Sequence, residues 1–277
     1  MRTARHERWF LLTFGALILV AWAALWMWAK SPYGRYLDHG DWTQIGVAGA
    51  LCSAVPAGAT LVPATLYVGG LVLMVAAMML PTTLPLLDIY GRMTQRRADR
   101  WLLLTLVVAG YLAAWLGFGI AAHAADVALH RLVTTSSWLT FNGWALGAAT
   151  VALAGAFQFS PLKHRCLEKC RTTMSFVIEH WQGRRERRQA FRLGWRHGVF
   201  CVGCCWALML LMFVVGTGSV GWMLLLGAVM AIEKNVPWGR RLTAPLGIAL
   251  LGASLAIVAW HAGGFVTAAD AGAAPTW

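Results

Sequence analysis

The chain has 277 residues, 59% of them hydrophobic and only 12% charged, with a formal net charge of +12. Its mean hydropathy of +0.61 excludes an ordinary soluble domain. The basic residues lie between hydrophobic runs, where Lys and Arg act as topology signals, so the charge does not point to nucleic acid.

Taken in order, residues 1–8 are short and basic. Residues 9–29 are long enough to cross a bilayer, which takes ~20 mostly apolar residues, and read as a retained first helix rather than a cleaved signal. After a polar stretch at 30–43, residues 45–63 are rich in Gly, Ala and Pro, are interrupted by Pro56 and Pro63, and carry Cys52. They read as an extracytoplasmic or re-entrant segment. Residues 66–87 form a span that ends in Met78-Met79-Leu80-Pro81. Further spans are expected at 101–122, 141–159, 199–215, 220–232 and 244–260. Between them, 163–196 is a basic loop, whose part at 170–192 is polar enough to lie along a membrane surface as a helix. Residues 262–277 read as a flexible tail. The expected fold class is therefore all-α: a single polytopic transmembrane helical bundle over 1–277, of about seven spans (six to eight), with no soluble domain.

The positive-inside rule orients this bundle. With seven spans and the N-terminus inside, only Lys30, Arg35 and Arg131 of the 23 Lys and Arg residues fall outside. Counting 45–63 as an eighth span reverses the N-terminus and scores almost as well. Both arrangements keep everything from Gly91 onward in one orientation and place loop 163–196 at the cytoplasmic leaflet.

The chain's chemistry is concentrated in His197-Gly-Val-Phe-Cys201-Val-Gly-Cys204-Cys205-Trp206-Ala-Leu-Met209. On a helix, Cys201, Cys204 and Cys205 stand at i, i+3 and i+4 and share one face. His197 lies one turn before them and Met209 one turn after. Cys166 and Cys170 form a second i, i+4 pair. Soft thiolate and thioether donors select Cu(I), zinc or iron–sulfur clusters, and the reducing cytosol favours metal ligands or reactive thiols over structural disulfides. Cys166, Cys170, Cys201, Cys204 and Cys205 are the first candidate ligands, for Cu(I) or alternatively zinc. Met78, Met79 and His197 come second. The remaining methionines of the spans (Met74, Met209, Met212, Met223, Met230) fit packing as well as soft ligation, and Cys52 reads as a small apolar residue. Asp88 and Glu233, ionisable residues near spans, are functional candidates or interfacial partners of Arg92 and Lys234. The run Arg184–Arg188 reads as a lipid-headgroup contact.

Four short motifs carry a resemblance. They are Ala77-Met78-Met79-Leu80-Pro81-Thr82; Ser160-Pro161-Leu162-Lys163-x-x-Cys166-Leu167-x-x-Cys170-Arg171; Gly198-x-x-Cys201-x-Gly203-Cys204-Cys205-Trp206-x-Leu208-Met209; and Glu233-Lys234-x-x-Pro237. With them the chain resembles a family of uncharacterised bacterial integral membrane proteins predicted to bind metal and sometimes described as copper chaperones. Where that family often shows Tyr-Gln-x-Thr-Pro, this chain has Phe157-Gln158-Phe159-Ser160-Pro161. The resemblance implies an all-helical membrane fold, cytoplasmic-side metal ligands and a bacterial inner membrane. The functional expectation is a non-enzymatic copper-handling membrane protein, serving delivery, export or copper-enzyme assembly. Its expected partners are membrane lipid and a copper-dependent membrane enzyme or metallochaperone. The rival readings are a thiol redox relay and an accessory or assembly subunit with incidental cysteines. A shared metal site requires the segments around Met78, Cys166, Cys201 and Glu233 to converge.

Overall fold

A computed structural model describes residues 15–16, 18–27 and 30 and then the chain from 61 to 271, except 137, 140–141, 181–185 and 216–219. Residues 45–60, including Cys52, and 272–277 lie outside the described residues.

All secondary structure among the described residues is helical. A short apolar helix, α1 (Ile18–Met27), falls in the first expected span. It is followed by α2 (Leu61–Met79), α3 (Leu84–Met93), α4 (Arg100–Thr135), α5 (Gly143–Phe157), α6 (Pro161–Arg171), α7 (Thr173–His180), α8 (Glu186–Val215), α9 (Val220–Asn235) and α10 (Thr243–Ala271). Three stretches are long and apolar enough to cross a membrane: Arg100–Val133, Glu186–Met212 and Gly239–Ala262. Counting each bent helix pair as one span gives up to five, so the seven expected spans are not reached among the described residues. Helix α9 has 16 residues. At 1.5 Å per residue it is ~24 Å long, short of a ~30 Å hydrocarbon core.

The expected span at 66–87 is broken. Helix α2 ends at Met79, a 3-10 turn covers Pro81–Thr83, and the axis bends by 48°. Pro81 contributes no backbone N–H, and its ring cannot follow a regular helical turn, so upstream carbonyls lose their donors. Threonine hydroxyls serve two carbonyls at the break: Thr82 Oγ1 donates to Met79 O at 2.7 Å, and Thr83 Oγ1 joins Thr83 N on Leu80 O, at 2.8 Å. Polar backbone is thereby satisfied inside the protein, as apolar surroundings require. A second bend, of 62°, separates α5 from α6. Much of the expected loop at 163–196 is ordered helix: α6, α7 and the first turns of α8.

Helices α4 and α8 form the main packed pair. Their backbones approach at glycines. A Cβ added to Gly194 would stand 1.9 Å from Val107 O, and one added to Gly110 would stand 2.1 Å from Phe191 O. Small residues allow this close approach where lipid gives no hydrophobic drive between helices. Around the pair the interior divides into two clusters. One, built from α3, α4, α7 and α8, is aliphatic and aromatic and includes Leu86, Tyr90, Leu103 and Phe176. The other draws on α1, α2, α4, α5, α6, α8 and α9 and contains the described cysteines.

Candidate metal centre

Each helix that brings a thiol to the centre is fixed locally. Helix α6 begins with Ser160, whose Oγ accepts a hydrogen bond from Lys163 N at 3.1 Å, and Pro161 takes the first helical position. This satisfies one orphan donor and places the rigid proline where no N–H is needed. Cys166 and Cys170 follow on one face and are both buried. Helix α8 presents Cys201, Cys204 and Cys205, all buried. Gly203 lets the two helices close: a Cβ there would stand 2.7 Å from Cys166 Sγ.

All five thiols are free. Cys170 Sγ lies 4.0 Å from Cys204 Sγ. With metal–sulfur bonds of ~2.3 Å, two thiolates on one ion stand between ~3.8 Å apart (tetrahedral) and ~4.6 Å apart (linear). The Cys170–Cys204 pair falls within that range and fits a shared soft ion. Cys204 also donates to Cys201 O, at 3.1 Å, as does Cys205, at 2.8 Å. Among the described residues, no group of three or more His, Cys, Asp or Glu is placed to hold a metal as it stands.

Two buried lysines organise the surroundings. Lys234, at the end of α9, places Nζ 2.9 Å from Cys201 Sγ, 3.8 Å from Cys205 Sγ and 3.7 Å from Met79 Sδ. Tyr111 of α4 completes this side, its hydroxyl 3.0 Å from Cys201 Sγ and 3.4 Å from Met79 O. Among the described residues, four of the five thiols thus divide into a Cys170/Cys204 pair without a lysine contact and a Cys201/Cys205 pair held by an ammonium, while the fifth, Cys166, lies against Gly203. Lys163, whose side chain is fully buried, pairs with Glu233 at 2.9 and 3.0 Å and also donates to Gln158 Oε1. Arg171 reaches the end of α9, donating to Glu233 O at 2.5 Å and Pro237 O at 2.9 Å. A guanidinium there satisfies carbonyls that lack an intrahelical partner and suits the negative end of the helix dipole.

The structure therefore brings together the segments around Met79, Cys170, Cys201 and Glu233. Met78 is buried one residue from Met79, against Gly227 of α9. His197 is buried, with ring centroids 6.2 Å from Tyr111 and 5.6 Å from Phe176, and its Nδ1 has no hydrogen-bond partner. Asp88 stands apart, in an exposed ion pair with Arg92 at 3.0 Å. Glu233 pairs with Lys163 rather than with its neighbour Lys234. Sequence reasoning missed Tyr111, Gln158 and the interior positions of Lys163 and Lys234. Both lysines stand inside the quoted motifs, which was the available signal.

These features define an all-helical, strongly apolar protein with a buried soft-donor cluster where several helices converge. The chain matches the family described as PpoB2: Copper chaperone over residues 68–257, and it belongs to that family. Comparison with curated proteins and with solved structures gives no match.

Proposed function

We propose that this protein is an inner-membrane Cu(I) carrier that accepts the ion at its cytoplasmic side and hands it on for delivery, export or copper-enzyme assembly. The observation that carries the reading is the 4.0 Å approach of Cys170 and Cys204 Sγ atoms from separate helices, inside a buried set of five free thiols. Family membership supports copper as the cargo. Two converging thiols suit Cu(I), which accepts few soft ligands, better than zinc, which takes four. The basic residues of 163–196 support a cytoplasmic orientation, and a carrier of this kind works beside a metallochaperone or a copper-dependent membrane enzyme. Burial keeps water and competing thiols from the ion, while the second, lysine-held pair provides a further soft position beside the first.

The test is metal analysis of the purified protein under reducing conditions, with reactive thiols counted before and after a Cu(I) chelator. The reading expects bound copper and a thiol count that rises when copper is removed. A chelator-insensitive, dithiothreitol-reversible change in the count would support a thiol redox relay instead.

A further inference from the structure

The methionines of this chain are not scattered as packing filler would be. Of its eleven methionines, all but Met1 are among the described residues; seven of these are buried, and all seven lie in the cluster that holds the five thiols. The second interior cluster contains neither Met nor Cys. The other described methionines, Met27, Met93 and Met174, are exposed. Flexible thioethers fill irregular gaps in any core, so filler alone predicts no such segregation.

The buried seven come from three helices that meet at the thiols. Helix α2 supplies Met74, Met78 and Met79; Met79 Sδ faces Lys234 Nζ, and Met78 packs against Gly227 of α9. Helix α8 continues from Cys201 and Cys205 to Met209 and Met212. Helix α9 carries Met223 and Met230 and then Lys234, which touches Cys201, so its chain direction is opposite to that of α8 at this level. At 1.5 Å per residue, Cys201 to Met212 covers ~16 Å along α8, and Lys234 back to Met223 a similar length along α9. That is about half of a ~30 Å hydrocarbon core.

We propose that these thioethers form a conduction column for Cu(I), leading from the thiol cluster into the membrane interior, so that the protein moves the ion across the bilayer rather than only presenting it at one face. The inference rests on the copper-carrier reading above. Copper keeps its oxidation state throughout. Thiols release protons as they take the ion, and neutral thioethers, weaker donors than thiolates, pass it between successive sites without trapping it. Lys234 stands at the junction. Its ammonium and a Cu(I) ion cannot share Cys201 and Cys205, so the lysine withdraws as the ion enters the column.

The test uses full-length protein in sealed lipid vesicles, with Cu(I) kept reduced outside and a chromophoric Cu(I) chelator inside. The variants are Met209→Leu with Met212→Leu, and Met223→Leu with Met230→Leu, swaps that conserve volume. Both are expected to bind copper at the thiols as the unsubstituted protein does, while transport falls to that of empty vesicles. Met209→Cys with Met212→Cys replaces thioethers by thiols, which bind Cu(I) more tightly, and should hold additional copper without restoring transport. Leucine variants that transport normally, or cysteine variants that hold no additional copper, would overturn the column. So would an unsubstituted protein that binds copper but does not move it. Absence of copper binding by the unsubstituted protein would remove the carrier reading, and the column with it.

Discussion

The residue with most at stake outside the thiols is Glu233. Its carboxylate is, among the described residues, the ion-pair partner of the buried Lys163 ammonium, and breaking a buried ion pair on one side leaves an uncompensated charge, at ~3–5 kcal/mol. Glu233→Gln is therefore expected to destabilise the protein by about that amount. The double substitution Lys163→Met with Glu233→Leu should recover most of the loss. Thermal unfolding in detergent, followed by a thiol-reactive fluorophore as the buried cysteines become accessible, measures both. Equal losses in the two proteins would show that the pair does not act as a unit. This pair also marks where sequence reading stopped. Lys163 and Lys234 counted among the charges that orient the helices, because a lysine at the end of an apolar run looks the same whether it faces water or a buried carboxylate. Only the convergence of α6, α8 and α9 distinguishes the two cases. The cysteines were legible because their i, i+3, i+4 spacing needs nothing beyond one helix. The Cys170–Cys204 approach needed two.

At the scale of elements, helix positions were readable from hydropathy, and the differences from expectation have local causes. Hydropathy does not register that Pro81 bends the run at 66–87, and it sees the polar turns of α8 before Val199 as loop although they continue the helix. What holds α8 to α4 is a lack of side chain. Gly194→Ala would drive a methyl into Val107 O, and overpacking of this kind costs about 1–3 kcal/mol or more. Gly117→Ala, on α4, meets nothing within 4 Å and should be neutral or stabilising by up to ~1 kcal/mol through helix propensity. Melting temperatures of the two variants check the contrast, and equal effects would refute close backbone packing as its cause.

For the whole molecule, the proposed carrier role depends on orientation: reduced thiols and copper entry from the cytoplasm both require α6 to lie on that side. Lys169 on α6 has a side chain about half exposed, at 49%. A cysteine introduced there, Lys169→Cys, should resist a membrane-impermeant maleimide in intact spheroplasts and react once they are permeabilised. Ready labelling before permeabilisation would reverse the topology. Hydropathy does not count the spans here, because the bent pairs and the short α9 depend on where helices break in three dimensions rather than on composition.

The measurement closest to the central claim is an anaerobic Cu(I) titration of the purified protein against a competing chromophoric chelator. The unsubstituted protein and Cys52→Ser are expected to bind copper tightly. Cys170→Ser with Cys204→Ser should lose that binding. Because metal displaces thiol protons, affinity should also fall as pH is lowered, by up to about a hundredfold per unit when both thiols are protonated in the free protein. Unchanged, pH-independent copper binding in the Cys170/Cys204 double variant would contradict the assignment of this thiol pair as the copper site.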